Sequence, residues 1–208
     1  MLGGIIMAYH VHIIKNIEEL EQCELFHIDH YKWVEGYQPK AFGRMGLLQD
    51  FGLVISMTAM ESNPLTTYTK EGDPVYRDSA LEAFLNFTPG NTIPFYMNFE
   101  MNANGAMLNH IGSVHERKSV FESLPDRASC EAFRKGDSWS VLLKIPMEMI
   151  CNIFHIEPLK AGDYFTCNFY KICESKELEH YASYAPIISD KPNFHLPAFF
   201  GRAIIVED

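Results

Sequence analysis

The chain has few basic residues and no cluster of them. Its 208 residues include 17 Lys and Arg against 27 Asp and Glu, which gives a formal net charge of −10, and no run of five basic residues occurs. Binding to DNA or RNA needs a clustered cationic surface, and an anionic membrane surface attracts the same kind of patch. Neither nucleic acid nor a membrane is therefore an expected partner, whereas neutral ligands remain open.

The sequence also lacks cysteine motifs, long apolar runs and sets of metal ligands at a suitable spacing. The five cysteines form no C-x-x-C pair, which argues against a disulfide framework and a thiolate zinc site. No apolar stretch reaches the ~18 residues of a membrane helix, and no secretory signal is evident, so we expect a cytoplasmic protein with secretion left open. The pairs His10 with His12 and His27 with His30 lack a third ligand at a fitted spacing, so no metal site is predicted.

The residues that are present predict one globular β domain over 1–208. Hydrophobic residues make up 47% of the chain and aromatic residues 13%, which suffices for a core in a single domain of this length. Segments 51–61 and 95–102 alternate apolar and polar side chains, as half-buried strands do. In the second segment the predicted polar face carries Tyr96, Asn98, Glu100 and Asn102.

The segment PVYRDSALEAFLNF, residues 74–87, places charged residues inside an apolar run. A helical stripe is possible here. As a strand, it directs Leu81, Leu85 and Phe87 to the core and Asp78, Glu82 and Asn86 to the other face. The following Pro-Gly-Asn at 89–91 is a turn signal, so we predict a hairpin with 95–102.

Further strands are predicted at 24–31, 139–145, 165–172 and 201–206, and the N-terminal segment fits an edge strand. One short helix is expected after Ile145, and 113–137 lacks period two and is interpreted as loops. Pro and Gly residues separate the predicted strands, and strands and helices do not alternate as in βαβ units. The predicted fold is an all-β, antiparallel β-sandwich, immunoglobulin-like or jelly-roll-like.

The polar face of the predicted hairpin suits a sugar. A third strand adds Asn168 and Tyr170 to its amides and carboxylates, and such planar groups bond neighbouring hydroxyls while aromatic rings stack on C–H surface. The C-terminal region, 180–201, holds several aromatic residues among prolines, which suggests an ordered loop that either walls a ligand or plugs the sandwich edge. An exposed polar face or an internal hydrogen-bond ladder is the alternative.

The sequence also permits two other functions. Glu82 and Glu100 on neighbouring strands could act as a glycosidase pair, because retaining enzymes hold two carboxyl groups about 5 Å apart. A G-x-S-x-G nucleophile motif is absent. The aromatic C-terminal loop could instead contact another protein.

An ordered set of motifs resembles the family 9-like carbohydrate-binding modules from about Phe51 to the C-terminus. The motifs are VYRDSALEAF, YMNFEMNANG, WSVLLKIP, CNFYKI, SYAP and PNFHLPAFFG. The resemblance implies an antiparallel β-sandwich that holds the end of a sugar chain, of cellulose or xylan type in characterised members, between two aromatic rings. It also makes calcium binding possible, although no other cofactor is expected.

The resemblance also implies roles for individual residues. Glu82 matches an acid that bonds sugar hydroxyls, and Phe194 falls where the family places a stacking tryptophan. Tyr76 lies near the position of the other ring, and an extra residue separates Asp78 from Glu82. We further expect Arg77 and Asp78 to fix one another. The predicted function is non-catalytic binding of an oligosaccharide or sugar derivative, and the predicted ligand-binding residues are Tyr76, Arg77, Glu82, Asn98, Glu100, Asn168, Tyr184 and Phe194.

Overall fold

The computed structural model describes residues 8–120 and 127–207, in which strands dominate. One α-helix, α1 (Met147–Phe154), and three 3₁₀ helices, Ile17–Gln22, Val75–Arg77 and Pro197–Phe199, accompany them. No helix in this described part is long and apolar enough to cross a membrane. The strands are β1 (Tyr9–Ile14), β2 (Leu25–Ile28), β3 (His30–Tyr31), β4 (Ala41–Leu48), β5 (Gly52–Ala59), β6 (Ala80–Asn86), β7 (Tyr96–Asn102), β8 (Met107–Gly112), β9 (Arg117–Ser119), β10 (Ser129–Lys135), β11 (Ser138–Pro146), β12 (Tyr164–Cys173), β13 (His180–Ser183) and β14 (Gly201–Val206).

The strands form one curled sheet that folds into two layers, so the predicted β-sandwich is confirmed. Its order is β10-β11-β5-β4-β1-β14-β12-β6-β7-β8-β9, with β2 paired to β4 and β13 paired to β12 and β3. The sheet is mixed rather than purely antiparallel, because β1 runs parallel to both β14 and β4. Alternation of side chains assigns each residue to a face but does not fix the direction of the neighbouring strand. β1 is also an interior strand, not the predicted edge strand.

The core lies between the two layers and is built from alternate residues of the strands. Leu81 and Leu85 of β6 point into it, as predicted, and meet apolar side chains of β4, β5 and β11. The rings of Phe26 and Phe169 stack with their centroids 4.0 Å apart and join the layers. Burying one such aromatic side chain stabilises the fold by about 2 kcal/mol.

Most predicted elements are present near their predicted positions. The segments 51–61, 95–102, 139–145, 165–172 and 201–206 correspond to β5, β7, β11, β12 and β14, and the short helix is α1. The segment 24–31 divides into β2 and β3 at Asp29. The predicted hairpin is confirmed, since β6 and β7 pair antiparallel.

The prediction of loops for 113–137 is wrong where the segment is described. It contains β9 and β10, and residues 121–126 lie outside the described part. Each of these strands ends the sheet order at one side. Edge strands are often short and rich in charged side chains, so their sequences alternate poorly. Period two therefore gave no signal for them.

Candidate functional site

The outer face of β6, β7 and β12 is covered rather than exposed. The C-terminal segment 185–200 packs over it, and the ring of Phe194 stacks on Tyr170 with centroids 4.0 Å apart. Phe200 meets Tyr96 edge to face at 5.5 Å. The polar residues that alternate with the core residues are thus removed from water by a second apolar cluster. Its buried members are Ala80, Phe84, Tyr96, Tyr170, Ile172, Tyr181, Ile187, Phe194 and Phe200.

Between this segment and the sheet lies a cavity of about 340 Å³. Its floor comes from β6, β7 and β8, and its sides come from β9, the end of β12, β13, the 3₁₀ helix at Val75–Arg77 and residues 192–195. The lining includes both acids and rings from the predicted set, namely Tyr76, Glu82, Glu100 and Phe194. It also includes Phe84, Leu108, His110, Arg117, Ile172, Glu174, Tyr181, Pro192, Asn193 and His195.

Two carboxyl groups face each other at the floor of the cavity. Glu82 and Glu100 are direct partners in the antiparallel pairing of β6 with β7, and they are 2% and 5% exposed. The Asn98 side-chain amide donates a hydrogen bond to Glu100 Oε1 at 2.7 Å. Glu100 Oε2 is buried without a partner, and no described residue donates a hydrogen bond to Glu82. The pair therefore offers unused acceptor atoms to a ligand.

Burial changes the ionisation of this pair. It raises the pKa of Glu82 well above the usual range, and repulsion from Glu100 adds to the effect. Burial also raises the pKa of Glu100 to about 7, although Asn98 and Arg117 oppose the shift. Two like charges in a low-dielectric site cannot both ionise at little cost. The pair consequently favours a bound proton or a bound cation.

Arg117 closes one side of the cavity. Its guanidinium lies 4.1 Å from the centre of the Tyr96 ring and donates to Asn98 Oδ1 and to the His110 carbonyl oxygen. A tight turn at Gly112 brings β9 back to this position. Gly112 has φ +148°, and a Cβ there would lie 2.0 Å from the Glu116 carbonyl oxygen. Only glycine therefore fits the turn.

Two histidines line the cavity in their neutral form. Burial lowers the pKa of His195 to about 4, and the cation of Arg117 reinforces the shift. His195 Nδ1 lies 2.9 Å from the Tyr96 hydroxyl oxygen. Burial also lowers the pKa of His110. At neutral pH both rings supply hydrogen-bonding nitrogens rather than positive charge.

The two predicted stacking rings both line the cavity, but they differ in how much of each ring is exposed. Tyr76 is half-buried in the 3₁₀ helix Val75–Arg77. Phe194 is 6% exposed, and one of its faces is occupied by Tyr170. Trp33 packs against Phe194 and Tyr181 and donates its indole N–H to the Ser189 carbonyl oxygen. It thus supports this wall from outside the cavity.

Four predicted residues lie outside the cavity lining, namely Asn168, Tyr184, Asn98 and Arg77. Asn168 is fully buried, and its amide bonds both the N–H and the carbonyl oxygen of Ala185, so it anchors the covering segment. Tyr184 packs on Phe26 and Phe169 of the other cluster. Asn98 is buried behind the carboxyl pair, where it bonds Glu100 and Arg117.

Arg77 and Asp78 do not fix one another as expected. The Asp78 carboxylate accepts hydrogen bonds from the backbone N–H groups of Thr67 and Tyr68, each at 2.9 Å, and from the Asn102 amide. Arg77 is exposed outside the cavity, with its guanidinium 5.9 Å from the centre of the Tyr76 ring. Asp78 therefore stabilises the loop before β6, and the Arg77 guanidinium lies over the Tyr76 ring.

Several lining residues carry no sequence signal of their own. Arg117 lies in the segment interpreted as loop, and Glu174 follows the end of β12. The sequence indicates His195 only through its position next to Phe194 in the PNFHLPAFFG motif. No group of three or more His, Cys, Asp and Glu in residues 8–120 and 127–207 is arranged to hold a metal ion. Calcium binding therefore stays a prediction.

Comparisons with known proteins place this geometry in context. Residues 12–205 match the family described as Carbohydrate-binding family 9. A search among curated proteins finds no match to the chain. Among solved structures, a protein of Bacteroides uniformis described as a candidate carbohydrate-binding protein is similar with a TM-score of 0.80 and 21% identity, over 95% of this chain and 98% of that one.

Two further structures are similar to the chain. Both are family 9 carbohydrate-binding modules of Caldicellulosiruptor kristjanssonii at 11% identity. The complex with cellotriose has a TM-score of 0.70 over 97% of this chain and 94% of that one. The complex with glucose has a TM-score of 0.66 over 96% of each chain. At these identities the likeness shows the fold.

Proposed function

The chain belongs to carbohydrate-binding family 9, and from that premise we propose that it binds a carbohydrate non-covalently in the cavity on the outer face of β6–β8. The observation that carries the proposal is that aromatic rings and two buried carboxyl groups line the same cavity, where Glu100 Oε2 has no hydrogen-bond partner. The cavity volume of about 340 Å³ falls within the range of small-ligand sites, roughly 300–1,000 Å³. The cellotriose and glucose complexes of the similar modules support a sugar ligand.

In this proposal the rings and the polar groups of the cavity have separate roles. Tyr76 and Phe194 contact the C–H surface of the sugar, with Tyr76 giving the larger area because it is the more exposed ring. Glu82 and Glu100 accept hydrogen bonds from sugar hydroxyl groups, and His110 adds a neutral hydrogen-bonding ring. Asn98 and Asn168 act as positioning residues, since they hold Glu100 and the covering segment.

We also propose that the cavity does not hydrolyse its ligand. A retaining glycosidase needs one protonated and one ionised carboxyl group at the bond that it cleaves. The raised pKa values of Glu82 and Glu100 do not by themselves decide between binding and hydrolysis, and the family match, with the similar modules solved with cellotriose and glucose, supports binding without cleavage. Incubation with chromogenic glucosides and xylosides should therefore release no chromophore. Turnover that disappears in Glu82→Gln or Glu100→Gln would establish the enzyme instead.

Calorimetric titration tests the binding proposal directly. The purified protein is titrated with glucose, xylose and their β-1,4-linked oligomers, with and without calcium. We expect saturable heat that is lost in Tyr76→Ala and kept in Tyr164→Ala, a matched control because Tyr164 is exposed and outside the cavity. Absence of heat with every sugar, the amino sugars tested below included, would contradict the proposal. The alternative of a protein-interaction module would then be favoured.

A further inference from the structure

The charge balance of the cavity points to a particular class of sugar. We propose, resting on the proposed function, that the preferred ligand is an amino sugar with a free, protonated amino group. Its ammonium group lies between Glu82 and Glu100. The juxtaposition of two buried carboxyl groups with unused acceptor atoms carries this inference.

The two acids are placed to receive one compact cation. Directly opposite residues on antiparallel strands have Cβ atoms about 5 Å apart, so one group can contact both side chains. Glu82 and Glu100 are such partners and both line the cavity. Glu100 Oε1 already accepts the Asn98 amide, whereas Oε2 has no partner. A donor that enters from the cavity would complete the hydrogen bonding of both acids.

The rest of the cavity offsets the charge of these acids only in part, through the effect of Arg117 on Glu100. A third carboxyl group, Glu174, stands at the cavity and is exposed, and Arg117 is the one guanidinium or ammonium group in the described lining. The Arg117 guanidinium packs on Tyr96 and donates to Asn98 and to backbone carbonyl oxygens, while its Nε is buried without an acceptor. Lys171 points to the opposite face, where it pairs with Glu61 at 3.1 Å. The titratable or charged groups around the pair are Tyr76, Tyr96, His110, Arg117, Tyr170, Lys171, Glu174, Tyr181 and His195.

An ammonium group fits this arrangement better than the other donors. It brings three N–H groups and one positive charge, so it can bond both carboxylates and offset their repulsion. A hydroxyl group brings one donor and no charge, and one carboxyl group then keeps its proton. An N-acetyl group removes the charge and adds bulk. A metal ion would need further ligands, and the described residues form no cluster of three that could hold one.

Calorimetry of the full chain at pH 7 compares glucosamine, glucose and N-acetylglucosamine, together with the disaccharide of each. We expect the amino form to bind at least about tenfold more tightly than the neutral form, as a charge-assisted contact implies. The preference should disappear in Glu82→Gln and Glu100→Gln and persist in Glu157→Gln. Glu157 is an exposed acid outside the cavity, so it is the matched control.

A second measurement uses the wild-type protein alone and does not depend on how the variants fold. Burial raises the pKa of Glu100 to about 7, so the site holds protons that an ammonium group must displace. Binding of glucosamine should therefore release protons, seen as a heat that changes with the ionisation enthalpy of the buffer. Affinity for glucosamine should fall as the pH is lowered from 7 to 5, whereas affinity for glucose should not.

The outcomes separate this inference from the proposed function. Equal or weaker binding of glucosamine than of glucose, or no proton release, would overturn the amino-sugar inference and leave carbohydrate binding standing. Binding of calcium or magnesium chloride in competition with glucosamine would also overturn it, because the acids would then form a metal site. If no sugar gives a heat of binding, both the amino-sugar inference and the proposed function are overturned.

Discussion

Two buried polar clusters occupy opposite faces of β6 and β12, and they differ in how their carboxyl groups are satisfied. On the inner face, Glu61 accepts hydrogen bonds from Ser79 Oγ at 2.5 Å and Trp139 Nε1 at 2.9 Å, and it pairs with Lys171. The Lys171 ammonium also donates to Ser79 Oγ and lies 2.8 Å from His180 Nε2. On the outer face, Glu82 and Glu100 keep oxygens without donors.

The ionisation of the two clusters follows from this difference. Burial opposes the ionisation of Glu61, but Lys171, Ser79 and Trp139 outweigh it and lower its pKa. Burial raises the pKa of Glu82 because few donors oppose it. A buried polar group that is fully bonded holds the fold together, whereas one without partners costs stability and is available to a ligand. The inner cluster is therefore structural, and the outer one is the candidate binding site.

The largest expected effect comes from breaking the inner cluster. Lys171→Met leaves the Glu61 carboxylate buried without a cation and should lower the free energy of unfolding by about 3–5 kcal/mol. Urea denaturation measures the loss. The double variant Glu61→Leu with Lys171→Met removes both charges and should recover most of it. A loss below about 1 kcal/mol in the single variant would show that the ion pair does not matter to the fold.

An intermediate effect is expected from the pH dependence of the outer pair. Burial raises the pKa of Glu100 from its ordinary 4.5 to about 7, so the folded state binds more protons than the unfolded state in this window. Without ligand, this contribution stabilises the fold below pH 4.5 and is lost progressively as the pH rises to about 7.

Glu100→Gln isolates that contribution. The variant should gain about 1–3 kcal/mol in unfolding free energy relative to wild type between pH 4.5 and pH 7.5. His180 and His195 are present in both proteins, so their titration cancels in the difference. Urea denaturation at several pH values measures it, and a difference that stays constant with pH would mean that Glu100 ionises normally in the folded protein.

The last expected effect, of similar size, is on the stability of the Glu82 variant. Glu82→Gln keeps the shape of the side chain and removes a carboxyl group that no described donor bonds. Because burial raises the pKa of Glu82 well above its usual range, removing this carboxyl group should raise the unfolding free energy at pH 7 by about 1–3 kcal/mol. Thermal denaturation at pH 7 checks this. If the variant loses more than about 1 kcal/mol, Glu82 belongs with the structural cluster and the comparison between the two faces fails.

The features of the outer cluster that depend on neighbouring residues could be predicted from the sequence. Alternation over β6 and β7 and the turn at 89–91 placed Glu82 and Glu100 on one face, and the structure pairs them directly. The position of Tyr76 and Phe194 at the cavity agrees with the motif resemblance. Both predictions rest on signals within a few residues of the side chains concerned.

Arg117 and the Glu61–Lys171 pair could not be predicted in the same way. Arg117 reaches the site through an edge strand whose sequence does not alternate, by way of the turn at Gly112. Glu61 and Lys171 meet only because the sheet folds into two layers. Partners far apart along the chain are set by the packing of layers, which a short sequence window does not contain.

The sequence by itself determined the two faces of each central strand, the acids and amides that share one face, and the aromatic residues near the C-terminus. Only the tertiary structure decided that this polar face is covered, as the contact between Tyr96 and His195 shows over 99 positions of the chain. Side-chain alternation is a property of neighbouring residues, whereas loss of water depends on every segment packed above them. That covering raises the pKa values of Glu82 and Glu100 and turns a polar sheet face into a cavity.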